Sequence, residues 1–350
     1  MHIGTPSYDN WRAFNDGEKI IGESEYLLYT DASFIGEPAA GLGPYKFFNL
    51  LPFASEPGLV QPAAALRLSI HIIYESPQMH KTDVSRYHGG LAEDEIAALA
   101  SLKCGVRLRS GSQTRMFEAN GDPHGRPVSW IGNRADPVLG QFTRTRRLVL
   151  PTVTGEHSMM PIEEMKSFPL LAPRQAIALV RAARLYQDAL WLSESEPNLS
   201  WLMLVSAVEA AAKVWRASQK KGRSKNGLKK KFVVFLLEHL PPPPEKRPAN
   251  WGQITWSHES LSQAFTKIYE YRSKALHEGV PFPAPMCEPP VKEDPSWQAA
   301  GENLIGRGLA ISMHGGTWLA TDLPMTLHVF EYIARRAINA CWSSVARPPS

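Results

Sequence analysis

Up to about residue 165 the apolar positions alternate or run in short stretches, the period expected of strands. The stretches are "LRLSIHIIY" (66 to 74), "GVRLRS" (105 to 110), "TRMFE" (114 to 118) and "RRLVLPTV" (146 to 153), with glycine and proline between them. One helix interrupts the pattern. "LAEDEIAALASLKCG" (91 to 105) sets Leu91, Ile96, Leu99 and Leu102 near one stripe, with acidic residues in its first turn and Gly105 to cap its end. Residues 1–165 therefore read as an α+β domain.

From about 170 the period becomes helical. Pro173 occupies a first turn, and "RQAIALVRAARLYQDALWL" puts Ile177, Val180, Arg184, Leu185 and Leu192 along one face. A second helix follows "SEPN", with Trp201, Leu204, Val205, Val208, Ala212 and Trp215 as its stripe. A third, "GLKKKFVVFLLEHL", stops at the four prolines 241 to 244, which suit a short polyproline spacer. The fourth runs from about Glu259 to Leu276 with Leu261, Phe265, Ile268 and Ala275 inward, and a last helix follows Pro324. Eight of the ten tryptophans lie beyond residue 190, which adds to the case for an all-α bundle over 166–350. A long insertion at about 280–323, rich first in proline and then in glycine, separates the last two helices; "PSWQAAGENLIGRG" within it has the makings of a short helix.

Composition narrows the classes. The 38 Lys and Arg nearly balance 34 Asp and Glu, so the bulk charge permits an anionic partner without requiring one. Cys104, Cys287 and Cys341 are far apart and form no C-x-x-C box, which fits a reducing compartment. The amino terminus has no apolar core of signal-peptide length, and runs such as "WLMLV" are far short of a membrane span. The expectation is a cytoplasmic protein without membrane association. The H-E-x-x-H, paired-cysteine and G-x-S-x-G signatures are absent, so zinc hydrolysis and a serine triad have no sequence support, and neither metal nor cofactor is expected. "GRSKNGLK" imitates a phosphate loop but has Leu228 at the lysine position. The glycine-flanked His88 and His314 read as turn residues.

Two features remain. The first is "YRSKALHEG" (271 to 279), with Arg272 and His277 five positions apart. On one helix that spacing turns the two side chains about 140° apart and about 7.5 Å along the axis, so they do not share a face. Arg272 falls on the apolar stripe, where an unpaired guanidinium costs roughly several kcal/mol and needs a carboxylate or an anionic ligand. Glu209, in "SAVEAAAK" of the second helix, is the candidate partner. The second feature is "KVWRASQKKGRSKNGLKKK" (213 to 231), which carries nine Lys or Arg and no acid. Lys220, Lys221, Arg223, Lys225, Lys229, Lys230 and Lys231 are its candidate phosphate contacts, against the alternative of a solvated loop.

The motif resembles the Arg-polar-x-x-x-His signature of the HEPN superfamily of helical-bundle ribonucleases, and its "RSK..H" spelling is closest to the Apea-like branch. The resemblance covers roughly 170 to 350, with the "LVSAVEAA" helix and the final amphipathic helix, and it departs where Glu278 intervenes before Gly279. It implies a bundle that dimerises so that two motifs meet in one cleft, and metal-independent RNA cleavage by attack of the ribose 2′-hydroxyl. His277 then serves as general base or acid, Arg272 holds the phosphate, and Ser273 orients a phosphate oxygen or the histidine. RNA and a second copy of the chain are the implied partners, with an unknown trigger for the amino-terminal domain. Proteins of this kind act in bacterial defence against phage or as toxins. Two other readings stay open: a bundle that binds RNA or a nucleotide without cutting it, and a scaffold in which Arg272 merely pairs with Glu209.

Overall fold

In the computed structural model the chain is described over residues 4–38, 41–50, 60–72, 90–119, 125–130, 148–218, 227–291, 299–304 and 308–346. It divides into two units, Met1–Arg144 with Val153–Gln187 and Val345–Ser350, and Thr145–Thr152 with Asp188–Ser344.

The first unit opens with α1 (Pro6–Asn15), whose proline sits at the helix start after an extended Thr5. Strands β1 (Gly22–Thr30), β2 (Ala32–Ile35), β3 (Tyr45–Asn49) and β4 (Gln61–Ile70) follow, then α2 (Ala92–Cys104), β5 (Arg109–Phe117) and the two-residue β6 (Ser129–Trp130). The main sheet is antiparallel throughout, in the order β3-β4-β1-β5-β6. Its central strand, β1, is missing from the sequence reading. Register shifts at Glu25/Tyr26 and Leu28/Tyr29 break the two-residue period, and burial along β1 falls in pairs instead of alternating.

Other expectations are corrected as well. Of "GVRLRS" only Arg109 and Ser110 are strand, and they share one strand, β5, with Thr114–Phe117 of "TRMFE"; β4 begins five residues ahead of "LRLSIHIIY". Among the described residues of "RRLVLPTV", 148–153, there is no strand: Val149 and Leu150 are bends and Pro151–Val153 is a single 3-10 turn. Strand β7 (Gly155–Ser158) pairs in parallel with β2, and a 3-10 segment, Met160–Leu170, leads into α3 (Pro173–Leu192). Helix α2 ends at Gly105 in the left-handed conformation, φ 72°, where glycine carries no Cβ penalty. Nearly every residue of α2 is buried, including Glu93, Glu95 and Lys103. Along α3 the core face holds Ala176, Leu179, Val180, Ala183 and Tyr186, while Ile177 and Leu185 are only half-buried. The alanines, lighter in a hydrophobic reading, allow the close approach that fixes which side faces in.

The second unit is helical: α4 (Pro197–Ser218), α5 (Leu228–Glu238), α6 (His258–His277) and α7 (Leu327–Val345). Trp201 of α4 is fully buried between Phe282 and Phe330, with centroids 5.2 and 5.1 Å away and near-parallel rings. Its indole N–H donates to the Met286 carbonyl at 3.2 Å, so this large aromatic leaves no buried polar atom unpaired. Phe330 reaches Phe232 of α5, and Phe232 reaches Tyr269 of α6, joining all four helices in one aromatic core. The proline run 241–244 carries no helix, and the Pro241 and Pro242 carbonyls accept bonds from Trp256 and Tyr332.

Within the insertion lie a 3-10 turn, Ala284–Cys287, and the hairpin β8 (Ala310–Met313) with β9 (Gly316–Leu319). Of "PSWQAAGENLIGRG", where a short helix is expected, residues 299–304 are irregular, and 295–298 and 305–307 lie outside the described residues. Glu302 there is instead buried and bonded to Arg247 through both carboxylate oxygens.

Candidate functional site

Helix α6 is seated before its functional turn is reached. Ser257 caps it, its hydroxyl accepting the Ser260 N–H at 3.2 Å, and Leu261, Phe265, Ile268 and Tyr269 are buried at successive turns. That stripe brings Arg272, four residues past Ile268, against α4. There its Nη2 donates to Glu209 Oε2 at 2.7 Å, with side-chain exposures of 17% and 19%. Tyr269 completes the arrangement: its hydroxyl donates to Glu209 Oε1 at 2.9 Å, and the guanidinium carbon stands 5.5 Å from its ring centroid. Each carboxylate oxygen thus holds one donor. Burial, and then the bond to Glu209, push the Tyr269 phenol up to about 12, so it stays a donor at neutral pH.

Arg272 keeps one donor in reserve. Its Nε is enclosed and has no hydrogen-bond partner among the described residues. A charged N–H in that state is costly, and an acceptor brought to it gains correspondingly.

His277 is the last residue of α6 and is exposed. The helix is carried one residue further by Glu278, whose N–H bonds the Lys274 carbonyl at 2.8 Å, and is then reversed by Gly279 at φ 70°. The extra Glu278 therefore has a structural place: it is the C-cap residue, and Gly279 supplies the left-handed position. Ser273 follows Arg272 around the helix and is half-buried. Arg272 points into the bundle and His277 stands at its end, so one chain does not bring the two side chains to a common point.

The outer side of α6 is held by a segment that carries no sequence signal. Lys267 Nζ meets Asp322 Oδ1 at 2.5 Å, and the Tyr271 hydroxyl donates to the Asp322 carbonyl at 2.6 Å. Lys229, in the first turn of α5, pairs with Glu270 of α6 at 3.1 Å, both half-exposed. Lys230 is exposed and Lys231 half-buried. The bridge sets these lysines beside the α6 turn that carries Tyr269 and Arg272. Lys220, Lys221, Arg223 and Lys225 lie outside the described residues.

Tyr269 is the site residue that sequence reasoning passed over. Its spacing, three before Arg272 on the same stripe, was the available signal. Among the described residues no group of three or more His, Cys, Asp or Glu is arranged to hold a metal ion, and no helix is long and apolar enough to cross a membrane. No family model, no curated protein and no solved structure matches the chain.

Proposed function

We propose that the helical unit is a HEPN-type endoribonuclease that cleaves RNA without a metal, acting as a homodimer in the cytoplasm. The observation that carries the reading is Arg272, oriented by Glu209 and Tyr269, five residues ahead of an exposed His277 at the helix end. In this reading a ring nitrogen of His277 takes the proton from the ribose 2′-hydroxyl. The 2′-oxygen then bonds to phosphorus and the 5′-oxygen departs, leaving a 2′,3′-cyclic phosphate on the upstream fragment. Arg272 stabilises charge on the non-bridging oxygens, a task suited to a forked, permanently charged donor. Ser273 orients a phosphate oxygen, and Lys230 and Lys231 contact the backbone further along. The amino-terminal unit supplies the trigger, and bacterial defence against phage or toxin-like RNA cleavage is the corresponding role.

One observation favours a second reading. The Arg272–Glu209 pair also satisfies what a purely structural ion pair requires, and a bundle built around it needs no chemistry at all. Incubation of the protein and its His277→Ala variant with RNA in EDTA separates the two. The nuclease reading expects cyclic-phosphate ends and a loss of about 100-fold or more in the variant, the scale of a missing acid or base. Cleavage indifferent to His277→Ala, or none in either protein, overturns it.

A further inference from the structure

The helical unit contains a second feature, away from the Arg272 carboxylate contact: an open cleft of about 560 Å³ between the start of α4, the 3-10 turn Ala284–Cys287 and the β8–β9 hairpin. One wall is aromatic. Trp318 of β9 is half-buried and lies against Gly316, where an added Cβ would stand 2.5 Å from its Cη2 atom. Gly316 thus leaves room for the indole. The hairpin turn beside it holds His314 at φ 47°, the one positive value for a non-glycine residue among those described, so this side chain is kept at the rim at a conformational cost.

The charges in the cleft have one sign. Glu194 and Glu288 both line it, and no lysine or arginine does so among the described residues. Glu194 is the inner group, its carboxylate receiving the Val149 and Leu150 N–H groups at 2.8 and 3.3 Å. Glu288 is the open one. His314 Nε2 is 3.8 Å from it, beyond hydrogen-bond reach, and both side chains are substantially solvent-exposed. The remaining wall, including Phe282, is largely apolar, and Asn198 is committed to the Phe282 N–H at 2.9 Å.

We propose that this cleft is a binding site for a small organic cation, an amine, amidine or guanidine with a flat or apolar body, which stacks on Trp318 and pairs with Glu288. Among the described residues an anion would meet two carboxylates and no lysine or arginine. A neutral apolar ligand would leave Glu288 and its charge without a partner. A cation on an aromatic body uses both walls, and the aromatic face adds its own attraction to positive charge. The inference is independent of the nuclease reading, because no residue of the cleft is assigned a part in RNA cleavage.

Benzamidine, benzamide and benzoate are probes of one shape and three charges. Titration calorimetry with the full chain should show saturable binding of benzamidine, binding at least tenfold weaker for benzamide, and none for benzoate. Glu288→Gln, a mild change at a partly exposed position, should weaken benzamidine at least tenfold without lowering the unfolding midpoint. Trp318→Phe should keep part of the affinity and Trp318→Ala less, whereas Arg272→Lys should change nothing. Equal binding of benzamide and benzamidine, or a Glu288→Gln variant that binds like the wild type, overturns the proposal. So does the absence of any benzamidine binding.

Discussion

Arg272 and His277 share a motif but make different demands on the fold. Arg272 sits four-fifths buried with Glu209 taking one of its donors, so removing it leaves a half-buried carboxylate held only by the Tyr269 hydroxyl. Arg272→Ala should therefore lower stability by about 1–3 kcal/mol in urea unfolding, and Arg272→Lys should recover part of that. His277 is exposed at the helix end, and His277→Ala should leave the unfolding midpoint where it is. If it shifts the midpoint as far as Arg272→Ala does, His277 is a structural residue and the division drawn here is wrong. Tyr269→Phe adds a third readout: it frees Glu209 Oε1 and should weaken stability by about 1.5–3 kcal/mol, as loss of one bond to a charged group does. This local chemistry was legible to the extent that helical period placed Arg272 and Glu209 on inward faces. The spacing of Tyr269 was legible too, but its bond to Glu209 and the unpaired Nε were not, because both depend on how closely α6 and α4 approach.

At the scale of elements, α2 shows why burial outruns periodicity. The sequence presents three acids in its first turn, the usual mark of a solvated helix start, yet Glu95 is fully enclosed and accepts both the N–H and the hydroxyl of Ser7, at 3.0 and 2.6 Å. The partner is 88 residues earlier, in a helix that the sequence reading did not contain. Burial pushes the Glu95 carboxyl up from 4.5 to about 7, and Glu93 likewise. A raised acid binds its proton more tightly in the folded state, so its contribution is complete below about 4.5 and is lost as pH rises through about 7. Relative to Glu95→Gln, which carries no titrating group there, the wild type should lose stability as pH climbs from 4.5 to 7, and the difference should level off above that. Urea midpoints of the two proteins at a series of pH values measure it. A difference that is flat with pH would mean that Glu95 titrates normally. The helices of the second unit were far more legible, since their apolar stripes are long and regular, whereas β1 was hidden by its register shifts and the β8–β9 hairpin by a glycine-rich run with little pattern.

At the scale of the whole molecule the question is what a near-neutral chain, +4 overall, does with a local excess of positive charge. Lys229 is already paired with Glu270, so a reversal there strains α6 as well as removing a cation; Lys230 and Lys231 are the cleaner probes. Reversing those two to glutamate should weaken RNA binding and flatten its dependence on salt, with the unfolding midpoint unchanged. An unaltered salt slope would make Lys230 and Lys231 part of a solvated helix face with no share in RNA binding. The larger consequence concerns the motif itself. Arg272 is tied inward to Glu209, and His277 lies at the end of the same helix, about 140° around it and about 7.5 Å along it, so a phosphate that touches one is badly placed for the other. A second copy of the chain is the simplest source of the missing partner group. If so, the active species is the dimer, and below its dissociation constant the cleavage rate should rise with the square of protein concentration, turning linear once the dimer is fully formed. Light scattering over the same concentrations should show mass doubling where the rate law changes. A rate linear throughout, from a protein that scatters as a monomer, would place Arg272 and His277 in one chain's site and would require α6 to unwind near its end to bring them together.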